Sequence, residues 1–137
     1  MHRWMIAVAC AAAVTCAQPA PAQTIEGTVT RVIDGDTFDF QALRIRLCGI
    51  DAPERGDGGH RQAMRALTAL IEGRRVRCVP VGAGSVCDGR SKLFNRKRIV
   101  AQCYLGTHDI AARMVISGHA CDWVKFSGGA YRGGCRK

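Results

Sequence analysis

Asp34-Gly35-Asp36-Thr37-Phe38-Asp39-Phe40-Gln41-Ala42-Leu43-Arg44-Ile45-Arg46-Leu47-Cys48-Gly49-Ile50-Asp51-Ala52-Pro53-Glu54 is the run from which the architecture can be worked out. Residues 37–40 alternate apolar and polar side chains, Gln41-Ala42 can reverse the chain, and residues 43–47 alternate again. That pattern predicts a hairpin. Pairing about its turn brings Asp36 beside Arg46 and Leu47, and a bend at Cys48-Gly49 returns Asp51 and Glu54 toward them. Aspartates that meet across strands repel one another, so convergence calls for a hard cation. Oxygen donors at loop geometry suit Ca²⁺.

On the N-terminal side, residues 24–33 are rich in β-branched side chains and read as a first strand, with Gly27 a candidate bulge and Asp34-Gly35 a tight turn. On the C-terminal side, residues 55–59 form a glycine-rich loop. Ala63, Leu67, Leu70 and Ile71 then recur at helical spacing, and Gly73 stops the helix. Residues 74–81 form a fourth strand that Pro80 ends or places at an edge. A polar loop over 82–95, tied at Cys87, leads into a fifth strand over 98–105. Asp109 can cap a second helix over 110–117, with Ile110, Met114 and Val115 on its apolar face and Gly118 at its end. From Ala120 the tail reads as irregular. Five strands, one helix after the third and another after the fifth, predict an α+β fold: a five-stranded Greek-key barrel of the OB type with two helices.

The 137 residues hold no internal repeat, which predicts a single folded domain over 23–137 behind a leader at 1–22. Met1-His2-Arg3, an alanine-rich apolar run over 4–17 and the A-x-A site Ala20-Pro21-Ala22 read as a secretory signal. The run is short for a membrane span, and Thr15 makes Cys16 a poor lipidation site. Export to the periplasm or beyond the cell fits the cysteines. Cys48, Cys78, Cys87, Cys103, Cys121 and Cys135 follow the leader, an even set that points to disulfides. Zinc is disfavoured because no C-x-x-C or H-x-x-x-H spacing occurs. Cys78 and Cys103 lie in strand-like runs that can pair antiparallel and are the first expected bridge, with Cys87 to Cys121 a weaker preference.

Removing residues 1–22 takes one arginine and no acid from a net charge of +9, so the domain stays strongly basic. Polyanion binding, attraction to membrane surfaces and simple solubility all explain such a charge. No long amphipathic basic helix supports the membrane option. Arg90, Lys92, Arg96, Lys97 and Arg98 cluster where the loop enters the fifth strand, which favours contact with a polyanion. Arg44 reads as solvent-facing, and His60, His108 and His119 as structural or surface residues, because nothing pairs them with a nucleophile.

Val32-Ile33-Asp34-Gly35-Asp36-Thr37 followed by Arg46-Leu47-Cys48-Gly49-Ile50-Asp51-Ala52-Pro53-Glu54 resembles the paired signature of the staphylococcal nuclease (thermonuclease) family. The basic turn and strand over 95–103, Asp109-Ile110 and Gly118-His119-Ala120 fit as well, so the resemblance covers residues 23–131. It implies an extracellular or periplasmic, Ca²⁺-dependent phosphodiesterase acting on DNA and RNA. Carried onto this chain, Asp36, Asp51 and the main-chain carbonyl of Ala52 ligate Ca²⁺. Alanine there replaces the threonine of the best-known member. Glu54 holds or deprotonates the attacking water, and Arg46 and Arg98 grip the phosphate. Arg96 is the alternative to Arg98, because Arg96-Lys97 replaces the family's tyrosine-glycine.

The chemistry agrees without the resemblance. A phosphodiester repels nucleophiles, so its hydrolysis needs positive charge on the nonbridging oxygens, an activated water and in-line positioning. Guanidiniums supply charge bidentately, and a carboxylate orients the water. Relative to the family, the loop after Glu54 is shorter, and the tail is too short for a last helix, whose packing disulfides can replace. Trp123, Phe126 and Tyr131 are candidates to stack a base, with Arg96 and Lys97 as further substrate contacts. The expected enzyme is a monomer with a preference for single strands and no membrane partner. A non-catalytic OB-type nucleic-acid-binding module is the alternative, although such a binder has no use for Asp36, Asp51 and Glu54. A cationic disulfide-rich toxin or inhibitor is a third reading, which predicts neither Ca²⁺ dependence nor a coherent set of five strands.

Overall fold

The computed structural model describes residue 18, residues 23–132 and residue 135; apart from residue 18, the expected leader lies outside the described residues. In chain order the elements are β1 (Ile25–Asp34), β2 (Thr37–Phe40), β3 (Leu43–Leu47), β4 (Ile50–Asp51), α1 (His60–Ile71), β5 (Arg75–Pro80), β6 (Phe94–Asn95), β7 (Arg98–Leu105), β8 (His108–Asp109), α2 (Ile110–Ile116), β9 (Cys121–Asp122) and α3 (Val124–Ser127). Five of the strands close a barrel. β1 pairs antiparallel with β2 and β5, β2 with β3, β5 with β7, and β3 returns to β7 in parallel. Closure is what an OB-type barrel uses to remove its open edges.

β1 serves two neighbours with different halves. Residues 25–28 pair with β5 and residues 29–34 with β2, and the register shifts between Val29 and Arg31 and again between Val32 and Asp34. Those irregularities bend the strand around the barrel. Gly27 is not the bulge that the sequence suggests, since it pairs in register with Val76. It is glycine because a Cβ there would stand inside the Phe40 ring. The interior is filled by Val29, Phe38, Phe40, Ile45, Leu47 and Val76, all close to fully buried. α1 closes this core with Ala63, Leu67 and Ile71, and α2 with Ile110, Ala111, Met114 and Val115. Asp109 caps α2 by accepting the Ala112 N–H at 3.2 Å.

β7 does not alternate: Val100, Ala101, Gln102 and Cys103 are all buried. Its outer face is covered by the loop after β5, where Cys48, Val81, Cys87 and Val100 form a second small core. Within that loop Asp88 accepts hydrogen bonds from the N–H groups of Gly82 (2.7 Å), Gly84 (2.8 Å) and Ser85 (3.2 Å) and from the Ser85 hydroxyl (2.6 Å). The Ser85 hydroxyl above all, and then the backbone donors, hold the Asp88 carboxyl below its ordinary value of 3.8 despite some burial. A depressed folded-state value means that this stabilisation is complete above about pH 4 and is lost as the pH falls through the lower folded value. Asp88→Asn is therefore expected to lower stability by about 1 kcal/mol at pH 7 and by less at pH 3. Thermal melts of the two proteins at both pH values check it.

Three disulfides brace the shell. Cys78 and Cys103 face each other across β5 and β7, as the strand pairing predicts, with a Cα–Cα distance of 4.0 Å. The expected Cys87–Cys121 bridge is not formed: Cys87 bonds to Cys48, and Cys121 bonds to Cys135. Cys48 leaves β3 with its N–H on the Ala101 carbonyl, which puts its sulfur under the covering loop that carries Cys87. Cys121 instead lies opposite Asp51 in the β4–β9 ribbon.

The tail is more ordered than its sequence suggests. β9 pairs with β4, the Trp123 N–H donates to the Gly49 carbonyl, and the Ser127 hydroxyl donates to buried Asp122 at the end of α3. A two-residue ribbon and a four-residue helix are too short to leave any periodicity. Among the described residues, no helix is long and apolar enough to cross a membrane.

Candidate active site

The hairpin register delivers Arg46 to Asp36. Thr37 pairs with Arg46, and the Leu47 N–H donates to the Asp36 carbonyl at 2.8 Å. Alternation turns Ile45 and Leu47 inward and Arg44 and Arg46 outward. Arg44 is spent on Asp39 at 2.7 Å on the exposed side. Arg46 is half-buried instead: one terminal nitrogen donates to the Leu47 carbonyl at 2.9 Å and lies 3.0 Å from Asp36 Oδ2, while the other donates to the Ile50 carbonyl at 3.0 Å. The guanidinium thus spans the bend between β3 and β4. That bend requires Gly49, whose φ is 76° and whose added Cβ would press on Ser127 and Tyr131.

After the bend, β4 carries Asp51, and the chain turns at Ala52-Pro53-Glu54. Asp36, only 7% exposed, holds this turn: its Oδ2 accepts the Ala52 N–H at 3.2 Å and its Oδ1 accepts the Thr37 hydroxyl at 2.9 Å. Glu54 is exposed, and its N–H donates to Asp57 at 3.1 Å. Asp34 pairs with His60 at the start of α1, with Nε2 2.9 Å from Oδ1. This ion pair tethers the turn after β1 to the helix.

Arg98 opens β7 opposite Asn95 and donates from Nε to the Asn95 carbonyl at 3.2 Å. Burial, and next the positive charge of Arg46, lower its guanidinium below the ordinary 12.5, with the charge of Asp36 pulling the other way. Two partly shielded cations that repel each other form a natural seat for an anion.

These side chains meet in one cleft of about 500 Å³, lined by Asp34, Asp36, Arg46, Asp51, Ala52, Glu54, Asn95, Arg96, Arg98 and Trp123, with Pro53 and Arg55 at its side. A second cleft of about 530 Å³ adjoins it and shares Arg46, Asn95, Arg96 and Trp123. Trp123 and Phe126 line the second cleft and meet edge to face with centroids 4.7 Å apart. Tyr131 is not available to stack a base, being 5% exposed with its hydroxyl donated to Asp109 at 2.9 Å. Burial first, and then the Asp109 charge, push that hydroxyl well above the usual tyrosine range. Lys97 sits exposed in the β6–β7 turn and lines neither cleft. Asn95, Phe94 and the Asp34–His60 pair escape sequence reading. Only Phe94 leaves a trace there, as a large apolar residue inside a basic run.

Among the described residues, no group of three His, Cys, Asp or Glu side chains is placed to hold a metal ion. Asp36, Asp51 and the Ala52 carbonyl nevertheless supply oxygen alone, a donor set whose chemistry fits a hard cation and not zinc.

No family model matches the chain. Similar proteins are nonetheless found. Protein ParB of Escherichia coli is 40% identical over 74 residues, which cover 51% of this chain and 41% of that protein. A micrococcal nuclease of Shigella flexneri is 41% identical over 68 residues, 47% of this chain and 38% of the relative. Probable endonuclease LCL3 of Clavispora lusitaniae is 29% identical over 128 residues, 67% of this chain and 51% of the relative. The chain thus spans about half, or less, of the length of these curated relatives. Taken with the closed five-stranded barrel and the paired signature gathered in one cleft, they place the chain in the staphylococcal nuclease-like family.

Proposed function

We propose that the chain is an exported, Ca²⁺-dependent phosphodiesterase that hydrolyses DNA and RNA, prefers single strands and acts as a monomer. The observation that carries this reading is the convergence of Asp36, Asp51, Glu54, Arg46 and Arg98, drawn from four parts of the sequence, on one basic cleft. Three internal disulfides suit an oxidising compartment, the periplasm or the medium.

In this mechanism Asp36, Asp51 and the Ala52 carbonyl hold the cation. When bound, Ca²⁺ supplies positive charge to a phosphate oxygen and to the developing transition state. Arg46 and Arg98 take the nonbridging oxygens, and neither loses its proton under working conditions. Arg46 is pre-positioned by two main-chain carbonyls, so holding it in place costs little when substrate arrives. Glu54, exposed at the cleft, orients a water and accepts its proton as attack proceeds. Arg98, half-buried beside Arg46, suits the second phosphate contact better than Arg96, which is exposed in the hairpin turn.

The test is incubation of the oxidised, purified protein with single-stranded DNA in Ca²⁺ and in excess chelator. Cleavage with Ca²⁺ that stops with chelator is expected. Binding without cleavage in either condition would instead make the chain a non-catalytic OB-type binder, a reading favoured by the engagement of Asp36 with Arg46.

A further inference from the structure

We infer that the second cleft is a subsite for one unpaired nucleobase beside the scissile phosphate, with Phe94 on the β6–β7 hairpin as the residue that sets the preference for unpaired strands. The inference rests on the nuclease reading and adds to it a specificity residue. Phe94 is 64% exposed, the least covered of the aromatic residues among the exposed large apolar side chains. It pairs with Ile99 in a hairpin whose two central residues, Arg96 and Lys97, both have positive φ, at 49° and 65°. Glycine or asparagine satisfies such a turn at least cost. Two long cations occupy it instead, so the turn trades backbone ease for positive charge beside an uncovered aromatic ring.

The cleft itself is defined by what lines it. Phe94, Trp123 and Phe126 supply aromatic surface, Arg90, Lys92 and Arg96 supply charge, and none of the described residues lining it is acidic. An occupant that satisfies both features is anionic and carries a flat π face, as a nucleotide does. A volume of about 530 Å³ is of the size that accepts a small organic ligand. Arg46, Asn95, Arg96 and Trp123 line both clefts, so a strand whose phosphate lies on Arg46 and Arg98 continues into the aromatic one. A base held in a duplex cannot offer its face there, because its neighbours already stack on it.

The experiment compares wild type, Phe94→Ala and Phe94→Tyr on a labelled single-stranded oligothymidylate, the same oligomer with an abasic site, and a duplex. Binding is read by fluorescence anisotropy in the Glu54→Gln background, and cleavage in the otherwise unsubstituted chain. Phe94→Ala is expected to weaken binding of the intact single strand about tenfold and to raise KM in proportion, with Tyr restoring both. Wild type is expected to lose about as much on the abasic oligomer, where Phe94→Ala loses little more. The gap between single strand and duplex narrows in Phe94→Ala. Cleavage by wild type with no dependence on Phe94 or on the base overturns the subsite and leaves the nuclease reading standing. Phe94-dependent binding without cleavage overturns the nuclease reading and leaves the subsite. Loss of binding in Phe94→Tyr as well overturns the stacking role.

Discussion

Glu54→Gln is expected to lower the rate of single-stranded DNA cleavage by about three orders of magnitude, and Arg98→Lys by a comparable factor, while both proteins stay folded. Glutamine keeps the size of Glu54 and its main-chain bond to Asp57 but cannot accept a proton from water. The side chain is exposed, so little packing depends on it. Lysine at position 98 keeps the charge but loses the planar fork that takes two phosphate oxygens together. It also gives up the Nε bond to the Asn95 carbonyl, so a small drop in melting temperature is expected there and none in Glu54→Gln. The loss belongs in turnover more than in KM, because the proton and the developing charge matter most in the transition state. Single-turnover cleavage with saturating Ca²⁺, alongside thermal melts, separates the two. A rate within tenfold of wild type in either variant would remove that residue from the proposed chemistry.

The half of the site that depends on strand register was legible before any coordinates. Alternation over residues 37–47 can be satisfied in one register only, because a slip by one residue would turn Ile45 and Leu47 out of the core. That register places Arg46 beside Asp36. β7 begins and ends at the residues its pattern indicates, and the Cys78–Cys103 bridge follows from pairing two strands already recognised. What escaped was set by contacts distant in sequence and by elements too short to have a period. The loop after β5 carries no local sign that it will fold over β7 and offer Cys87 to Cys48. Gly27 reads as a bulge because glycine in a strand has two uses, and only the Phe40 ring shows which applies. Tyr131 and Trp123 look alike as aromatic residues in a tail. Asp109, 22 residues earlier in sequence, draws one into the core while the other lines both clefts.

Gly35→Ala is expected to cost about 2 kcal/mol of stability and, beyond that, roughly a hundredfold in cleavage rate. Gly35 lies between the first two carboxylates of the signature, and its role is steric. An added Cβ would stand 2.7 Å from Ala63 Cβ and 2.8 Å from Ala52 Cβ. Neither neighbour is the flexible end of a long side chain. Ala63 is fixed in α1, and Ala52 belongs to the turn whose N–H donates to Asp36 Oδ2. Three small residues therefore lock together the turn that carries Asp36, the turn that carries Asp51 and Glu54, and the helix behind them. A methyl group at the junction must separate at least two of these, and a shift of a few tenths of an ångström acts directly on the spacing between the acids. Ala52→Gly in the Gly35→Ala background relieves the contact on the site side, and Ala63→Gly the contact on the helix side. The first is expected to restore more activity, while the second pays the helical cost of glycine, about 1 kcal/mol, and leaves Ala52 displaced. Cleavage rates and melting temperatures of the four proteins measured together decide the matter. A fall in rate no larger than the fall in folded population would mean that Gly35 serves packing alone.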